Sequence, residues 1–263
     1  MRGNENPAIH SHSHVRCEGF AVRTNMPVHY SVDKYDEYTR HSVDVHDDRT
    51  IRRLRFEYHK SRRGPATLID VGTGTAQLLV KLAAHNDMQW KKIIGTDVFH
   101  DMVAKARQTI SDHKLDHQVT IDHADVHEMP YPDASADFII SRSTIHHWAD
   151  PVKAFQEIYR LLSPGGVAII HEPRRDPHPK ALAAFNAARA AVGVEPARMD
   201  EKFTAGEVRD FLKRAGLESQ SIVSAPWRGP GSMGFEVRIA KCHPFKVWCI
   251  RWIARAYVLL KSW

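Results

Sequence analysis

The chain predicts an α/β fold, a doubly wound and mostly parallel sheet with helices on both faces, and three observations carry that prediction. Short apolar, β-branched runs alternate with longer amphipathic stretches. Glycines follow the first run. Acids close the second and third.

The first run, Leu68-Ile69-Asp70-Val71, has the length and branching of a buried parallel strand. It breaks at Gly72-Thr73-Gly74 and resumes as a helical pattern with Leu78, Leu79 and Leu82 on one face. Strand, glycine turn and helix is a layout that brings backbone close to a ligand at a helix N-terminus. Alone, the glycine pair fits an ordinary tight turn equally well. The second run, Ile93-Ile94-Gly95-Thr96-Asp97, ends in an acid where a carboxylate can take both ribose hydroxyls of a nucleoside. The third strand, Val119 to Val126, runs into Asp125, and the fourth is Ala136 to Ser141. A helix from Pro151 to Leu162 stops at Ser163-Pro164-Gly165-Gly166 and feeds a fifth strand, Val167 to Ile170. Five strand–helix units are expected, followed by a polar, proline-rich loop from His171 to Pro179 and a helix from Lys180 to Val192. Thr204 with Glu207 reads as a capping box opening a further helix, and Glu218–Ser224 and Gly234–Ala240 read as the last strands.

The order and spacing of these pieces resemble a class I S-adenosylmethionine-dependent methyltransferase, of the small-molecule type, over roughly Asp33 to Ala240. The resemblance rests on D-V-G-T-G-T-A at Asp70–Ala76, the strand end at Asp97, A-D-V-H-E-M-P-Y-P-D at Ala124–Asp133 and L-L-S-P-G-G at Leu161–Gly166. It implies a seven-stranded Rossmann-like sheet with an antiparallel last strand, an N-terminal helical lid, and S-adenosylmethionine as cofactor. By the same resemblance Gly72, Thr73 and Gly74 approach the methionine portion of the cofactor, and Asp70 holds its ammonium. Asp97, with Val98 beside it, takes the ribose; Asp125 and Val126 take the adenine; Ser141 and Arg142 line the slot where donor and acceptor meet. Tyr30, Tyr35 and Tyr38 in the lid are candidate acceptor contacts, or simply packing of the lid. His146, His147, His171 and Glu172 are candidate general bases, with helix packing or capping an equal alternative for the His146–His147 pair. Nothing in the spacing demands a metal.

Two departures matter. The third glycine of the pattern is Ala76 here, a change expected to be tolerable within the first helical turn. Gln77 stands three residues after Gly74, which breaks the dinucleotide fingerprint and counts against a nicotinamide or flavin enzyme. The stretch after the fourth strand, Ser141-Arg142-Ser143-Thr144, also lacks an N-P-P-Y-type tetrad, which lowers nucleic-acid bases and protein glutamine as acceptors.

Three parts are expected: a tail and helical lid over residues 1–63, the cofactor-binding domain over 64–240, and a basic amphipathic helix over 241–263. The lid helix is read over Asp44 to Lys60 from Val45, Ile51, Leu54 and Tyr58. His10, His12 and His14 sit in a polar tail. The C-terminal helix carries Trp248, Trp252 and Leu259 opposite Lys246, Arg251 and Arg255. It suits docking on its own domain or a second subunit, or contact with a membrane surface. Net charge is +6, but two stretches, Arg49–Arg63 and Lys241–Trp263, together hold +11, so the remainder is −5. That pattern argues against a whole-domain nucleic-acid footprint. An RNA methyltransferase and a cofactor-binding protein with a non-methylating reaction stay open as alternatives. Three scattered cysteines, the lack of an apolar leader, and the lack of a bilayer-length apolar run point to a cytoplasmic protein; it is expected as a monomer or a homodimer.

Overall fold

The structure is a computed structural model that describes residues 32, 33, 36, 37, 39, 44–61, 63–191, 193, 195–226 and 232–242. The histidine-bearing tail, Tyr30, Tyr35, Tyr38 and the C-terminal amphipathic stretch beyond Cys242 lie outside the described residues. Seven strands form one sheet in the order β3-β2-β1-β4-β5-β7-β6. They are β1 (Ala66–Val71), β2 (Trp90–Asp97), β3 (Val119–His123), β4 (Ala136–Arg142), β5 (Leu162–Pro173), β6 (Ser221–Ser224) and β7 (Gly234–Ala240). The first five run parallel. β7 pairs antiparallel with both β5 and β6.

Side-chain alternation along the strands builds two cores. Leu68, Ile93, Phe138 and Ile140 face one side, where they pack with Ile51, Leu54 and Tyr58 of α1 (Asp44–Ser61), Leu78, Leu79 and Leu82 of α2 (Gln77–Ala83), and Val103, Ala106 and Ile110 of α3 (His100–Asp112). Ile69, Val71 and Ile139 face the other, against Phe155 and Ile158 of α4 (Pro151–Leu161) and Val208 and Phe211 of α6 (Ala205–Arg214). α5 (Pro179–Ala191) buries no residue and lies outside both cores. Each fully buried Leu, Ile or Phe contributes about 2 kcal/mol. The stripe on α1 is therefore enough to seat that helix on the sheet.

Local chemistry sets the helix starts. Asp150 accepts from the Val152 and Lys153 amides just before Pro151, which opens α4 with a residue that needs no donor. Thr204 and Glu207 form the expected reciprocal capping box at α6.

The structure departs from the sequence reading in four places. The connection from β3 to β4 carries no helix, so four of the five expected strand–helix units are present. Pro130 and Pro132 break any helical pattern there, and α4 supplies the missing backbone partners: Glu157 accepts from the Met129 amide (2.7 Å) and Arg160 donates to the carbonyls of Met129 (3.2 Å) and Tyr131 (2.9 Å). β5 is longer than Val167–Ile170 because Leu162 pairs with Ala136 and Val167 with Phe138, a bulge that keeps Ser163–Gly166 in the strand. At its other end His171, Glu172 and Pro173 remain in the ladder against Glu236, Phe235 and Gly234 rather than opening a loop. Residues Glu218–Gln220 form a 3-10 turn, and β6 starts only at Ser221. Finally, Ala76 precedes α2 instead of lying within its first turn, with φ 63° in the left-handed region.

Candidate active site

β1 lies between β2 and β4, so the connections from β1 and β4 diverge to opposite faces and leave a crevice at the strand C-termini. The glycine turn sits there. Gly72 has φ +70°, and a Cβ on it would fall well inside van der Waals distance of the Thr144 methyl. Thr144 belongs to the chain leaving β4, so this glycine is required by its backbone and by its neighbour together. Ser141 reinforces the same junction: its hydroxyl donates to the Val71 carbonyl at 2.7 Å and pairs with the Thr144 hydroxyl.

Two acids face the turn. Asp97, buried at the end of β2, accepts from the Gly74 amide through Oδ2 and from the Phe99 amide through Oδ1, both at 3.0 Å. Burial raises its carboxyl above the ordinary range against those two bonds. Each oxygen keeps a lone pair, so the carboxylate is fixed in orientation and still able to receive two adjacent hydroxyls. Asp70, fully enclosed, accepts from the Thr73 hydroxyl at 2.8 Å. Burial drives its carboxyl up to about 7, with Asp47 and Asp97 pushing the same way and Arg142 opposing. A cation arriving beside Asp70 would restore its charge. The two carboxylates thus fit, as acceptors, a ligand that carries a ribose and an ammonium.

Val98 is exposed beside Asp97, and the His123 ring lies 2.9 Å from its carbonyl and stacks on His100 at 3.9 Å. The Ala124 amide donates to the Asp97 carbonyl, which brings Asp125 and buried Val126 alongside. Asp125 Oδ1 accepts from the His127 amide at 2.9 Å and touches the His127 ring, whose hydrogen bond holds that carboxyl below the usual range. These residues form a rim next to Asp97.

On the β4–β5 side the four candidate bases separate into distinct environments. Glu172 is buried, accepting from the Ile145 amide at 3.0 Å and lying 2.5 Å from His146 Nδ1. The other ring nitrogen of His146 is 2.5 Å from Lys202 Nζ. His147 lies against His146, with ring centroids 3.9 Å apart. Burial, then His146 and Lys202, lower its pKa to about 3, so it stays neutral at physiological pH. His171 is held at both nitrogens, by Thr50 of α1 at 2.7 Å and by Glu236 of β7 at 2.8 Å, and Arg53 backs Glu236 at 3.1 Å. That is a tie between α1 and the sheet.

The sequence reading missed Asp47 and Lys202. Asp47 is wholly buried on α1. Its Oδ2 accepts from Lys81 at 2.8 Å, while Arg142 Nε lies 2.9 Å from Oδ1, outside hydrogen-bond direction and so an ion pair only. An acid on the same face as Ile51 and Leu54 was the available signal. Lys202, in the segment between α5 and α6, had none. Ahead of α1, Asp36 accepts from Gln77 at 2.8 Å and the Thr39 and Thr75 hydroxyls lie 3.5 Å apart, so this segment covers the start of α2. Among the described residues no group of three or more His, Cys, Asp or Glu is placed to hold a metal ion.

Residues 69–170 match the model of a methyltransferase domain. The chain is 29% identical over 157 residues to 27-O-demethylrifamycin SV methyltransferase of Amycolatopsis mediterranei, covering 59% of this chain and 54% of that protein. It is 30% identical over 138 residues to demethylmenaquinone methyltransferase of Bacteroides fragilis, covering 52% and 55%. The match thus spans about half the length of these curated relatives. Among solved structures, the plantazolicin methyltransferase bound to SAH superposes with TM-score 0.61 at 12% identity, over 80% of this chain and 90% of that one. A SAM-dependent methyltransferase from Aquifex aeolicus superposes with TM-score 0.52 at 23% identity, over 73% and 96%. These likenesses show the fold. The sheet order and the match over residues 69–170 are both similar to those of S-adenosylmethionine-dependent methyltransferase domains.

Proposed function

We propose that this chain transfers a methyl group from S-adenosylmethionine to a small-molecule acceptor. The observation that carries the reading is Asp97, pinned by the Gly74 and Phe99 amides with a lone pair left on each oxygen, at the crevice between β1 and β4. When bound, the sulfonium supplies an electrophilic methyl on a good leaving group. What the chain must add is orientation and exclusion of water.

In this reading Asp97 takes the ribose hydroxyls, the Asp125–Val126 rim takes the adenine, and the turn at Gly72–Gly74 lets backbone approach the methionine end. Asp70 takes the ammonium. Its raised carboxyl gives that binding a sign: the free protein must lose a proton from Asp70 to bind, so affinity for the cofactor increases as pH rises towards and past about 7. Ser141 and Arg142 hold the wall of the slot, and α1 covers it; Tyr30, Tyr35 and Tyr38, outside the described residues, are the acceptor contacts of this reading.

The curated relatives are named for a demethylrifamycin and a demethylmenaquinone, both small molecules. A nucleic-acid acceptor is disfavoured by charge: Arg53, Arg55 and Arg63 of the basic stretch each pair with an acid, at Glu236, Asp87 and Asp137. No helix among the described residues is long and apolar enough to cross a membrane. The test is incubation with methyl-labelled S-adenosylmethionine and a panel of reduced quinones, phenols, amines and hydroxylated macrocycles. Label transfer to a small molecule supports the reading; transfer only to RNA, or release of no S-adenosylhomocysteine with any acceptor, contradicts it.

A further inference from the structure

We infer that Lys202, held by His146 and Glu172, is the residue that meets the acceptor and takes its proton, and that the acceptor atom is the oxygen of an ionisable hydroxyl. The inference rests on the methyl-transfer reading above and specifies its acceptor side.

Glu172, His146 and Lys202 stand in line: Glu172 Oε1 to His146 Nδ1 is 2.5 Å, and His146 Nε2 to Lys202 Nζ is 2.5 Å. The inner end is closed. Glu172 is buried on β5 and its second oxygen is taken by the Ile145 amide. That amide follows Thr144, whose methyl abuts Gly72, so the line begins beside the glycine turn. The outer end comes from a different part of the chain. Lys202 reaches back over the strand ends because its neighbour Phe203 bridges to Arg174 and accepts from the Arg175 amide at 3.0 Å.

Base strength and geometry then select among the candidates. His147, driven to about 3, cannot keep a proton at neutral pH. His171 has both nitrogens engaged between α1 and β7. His146 is buried with both nitrogens engaged in the line itself. Lys202 is half-buried, so the line opens outward only there. An ammonium has three donors; one is directed at His146 and the others remain for a ligand.

The proposed transfer begins with the proton on Lys202 Nζ and the His146 Nε2 lone pair facing it. Lys202 can pass its proton to His146, whose imidazolium is then countered by Glu172, and the freed amine accepts the hydroxyl proton of the acceptor. The oxygen's electron pair forms the new C–O bond as the S–CH₃ bond breaks and its electrons return to sulfur. The proton taken up by Lys202 leaves to water with product. Burial, joined by Arg189, holds the Lys202 ammonium below the ordinary lysine range against Glu172, Glu201 and Asp200, a direction that suits a group asked to give up its proton.

The test titrates 4-nitrophenol, whose phenolate absorbs in the visible, into full-length protein preloaded with S-adenosylhomocysteine. Wild type should convert bound probe to phenolate at a pH where the free probe is mostly neutral. Lys202→Met should lower that signal at least about tenfold while leaving the calorimetric Kd for S-adenosylhomocysteine within about twofold, and reduce methyl transfer to phenols by roughly 100-fold. Lys202→Arg should keep the phenolate signal, because it keeps the cation, yet lose turnover, because guanidinium does not exchange its proton. His146→Gln should keep probe binding and shift its pH profile, which a purely structural role would not do. An unchanged phenolate signal in Lys202→Met, or none in wild type at millimolar probe, overturns the inference. Loss of S-adenosylhomocysteine binding in Lys202→Met also overturns it, by placing the lysine on the cofactor. A wild type that ionises the probe but binds no S-adenosylhomocysteine would sink the methyl-transfer reading and leave the anion site standing.

Discussion

At the residue scale the turn after β1 holds three left-handed positions, at Gly72, Gly74 and Ala76, with different occupants. Gly72 meets its φ of +70° without strain, and the space a Cβ would need belongs to Thr144. Gly72→Ala should cost about 2 kcal/mol, or ~5 °C in thermal melting. Adding Thr144→Ser removes the opposing methyl and should recover part of the loss. Ala76 holds φ 63° with a Cβ, a conformation that costs about 1 kcal/mol in an L-residue. Ala76→Gly should therefore stabilise slightly or be neutral in urea unfolding, the relief being offset by unfolded-state entropy. Asp70 makes a prediction in pH. Its carboxyl is raised from 3.8 to about 7, so the folded chain keeps a proton that the unfolded chain has released. The stability this contributes is present below pH 3.8 and is lost as pH climbs to about 7. Asp70→Asn should accordingly gain stability relative to wild type between pH 5 and pH 8, seen as diverging melting temperatures, while its affinity for S-adenosylmethionine falls.

At the scale of elements, α1 connects the sheet to the site through polar groups set on its apolar face. Asp47 joins Lys81 of α2 to Arg142 of β4, Thr50 holds His171, and Glu57 takes Arg238 of β7 in a paired contact at 2.7 and 3.0 Å. Asp47→Ala would remove the buried acid that faces Lys81 and Arg142 and should cost on the order of 3 kcal/mol in urea unfolding. What was legible in the sequence follows from range. The glycine turn and the acid at Asp97 are local signals: a strand, a turn and a strand end, each read within a few residues. The capping box at Thr204 is local too. The tie of Thr50 to His171 and the contact of His146 with Lys202 join residues far apart in the chain, and no local pattern marks them. The β3–β4 connection was misread for the same reason, since its backbone is satisfied by Arg160 and Glu157 on α4 instead of by its own turns.

At the scale of the whole molecule, charge and topology point the same way. A net charge of +6 would suit a polyanion, yet much of the basic stretch around α1 is spent on acids of the same domain. RNA retention should be weak and should lack the steep salt slope of a protein that neutralises many phosphates. The sheet order puts Asp70, Gly72, Asp97 and the β4 end at one crevice, so a single ligand can touch all of them. Calorimetric titration with S-adenosylhomocysteine, wild type beside Asp97→Ala, tests that claim most directly. Micromolar binding that weakens at least about 30-fold in a variant that still melts cooperatively is the expected result, two hydrogen bonds to a charged acceptor being lost. A folded wild type that does not bind, or a variant that binds equally well, would mean that the glycine turn is only a turn.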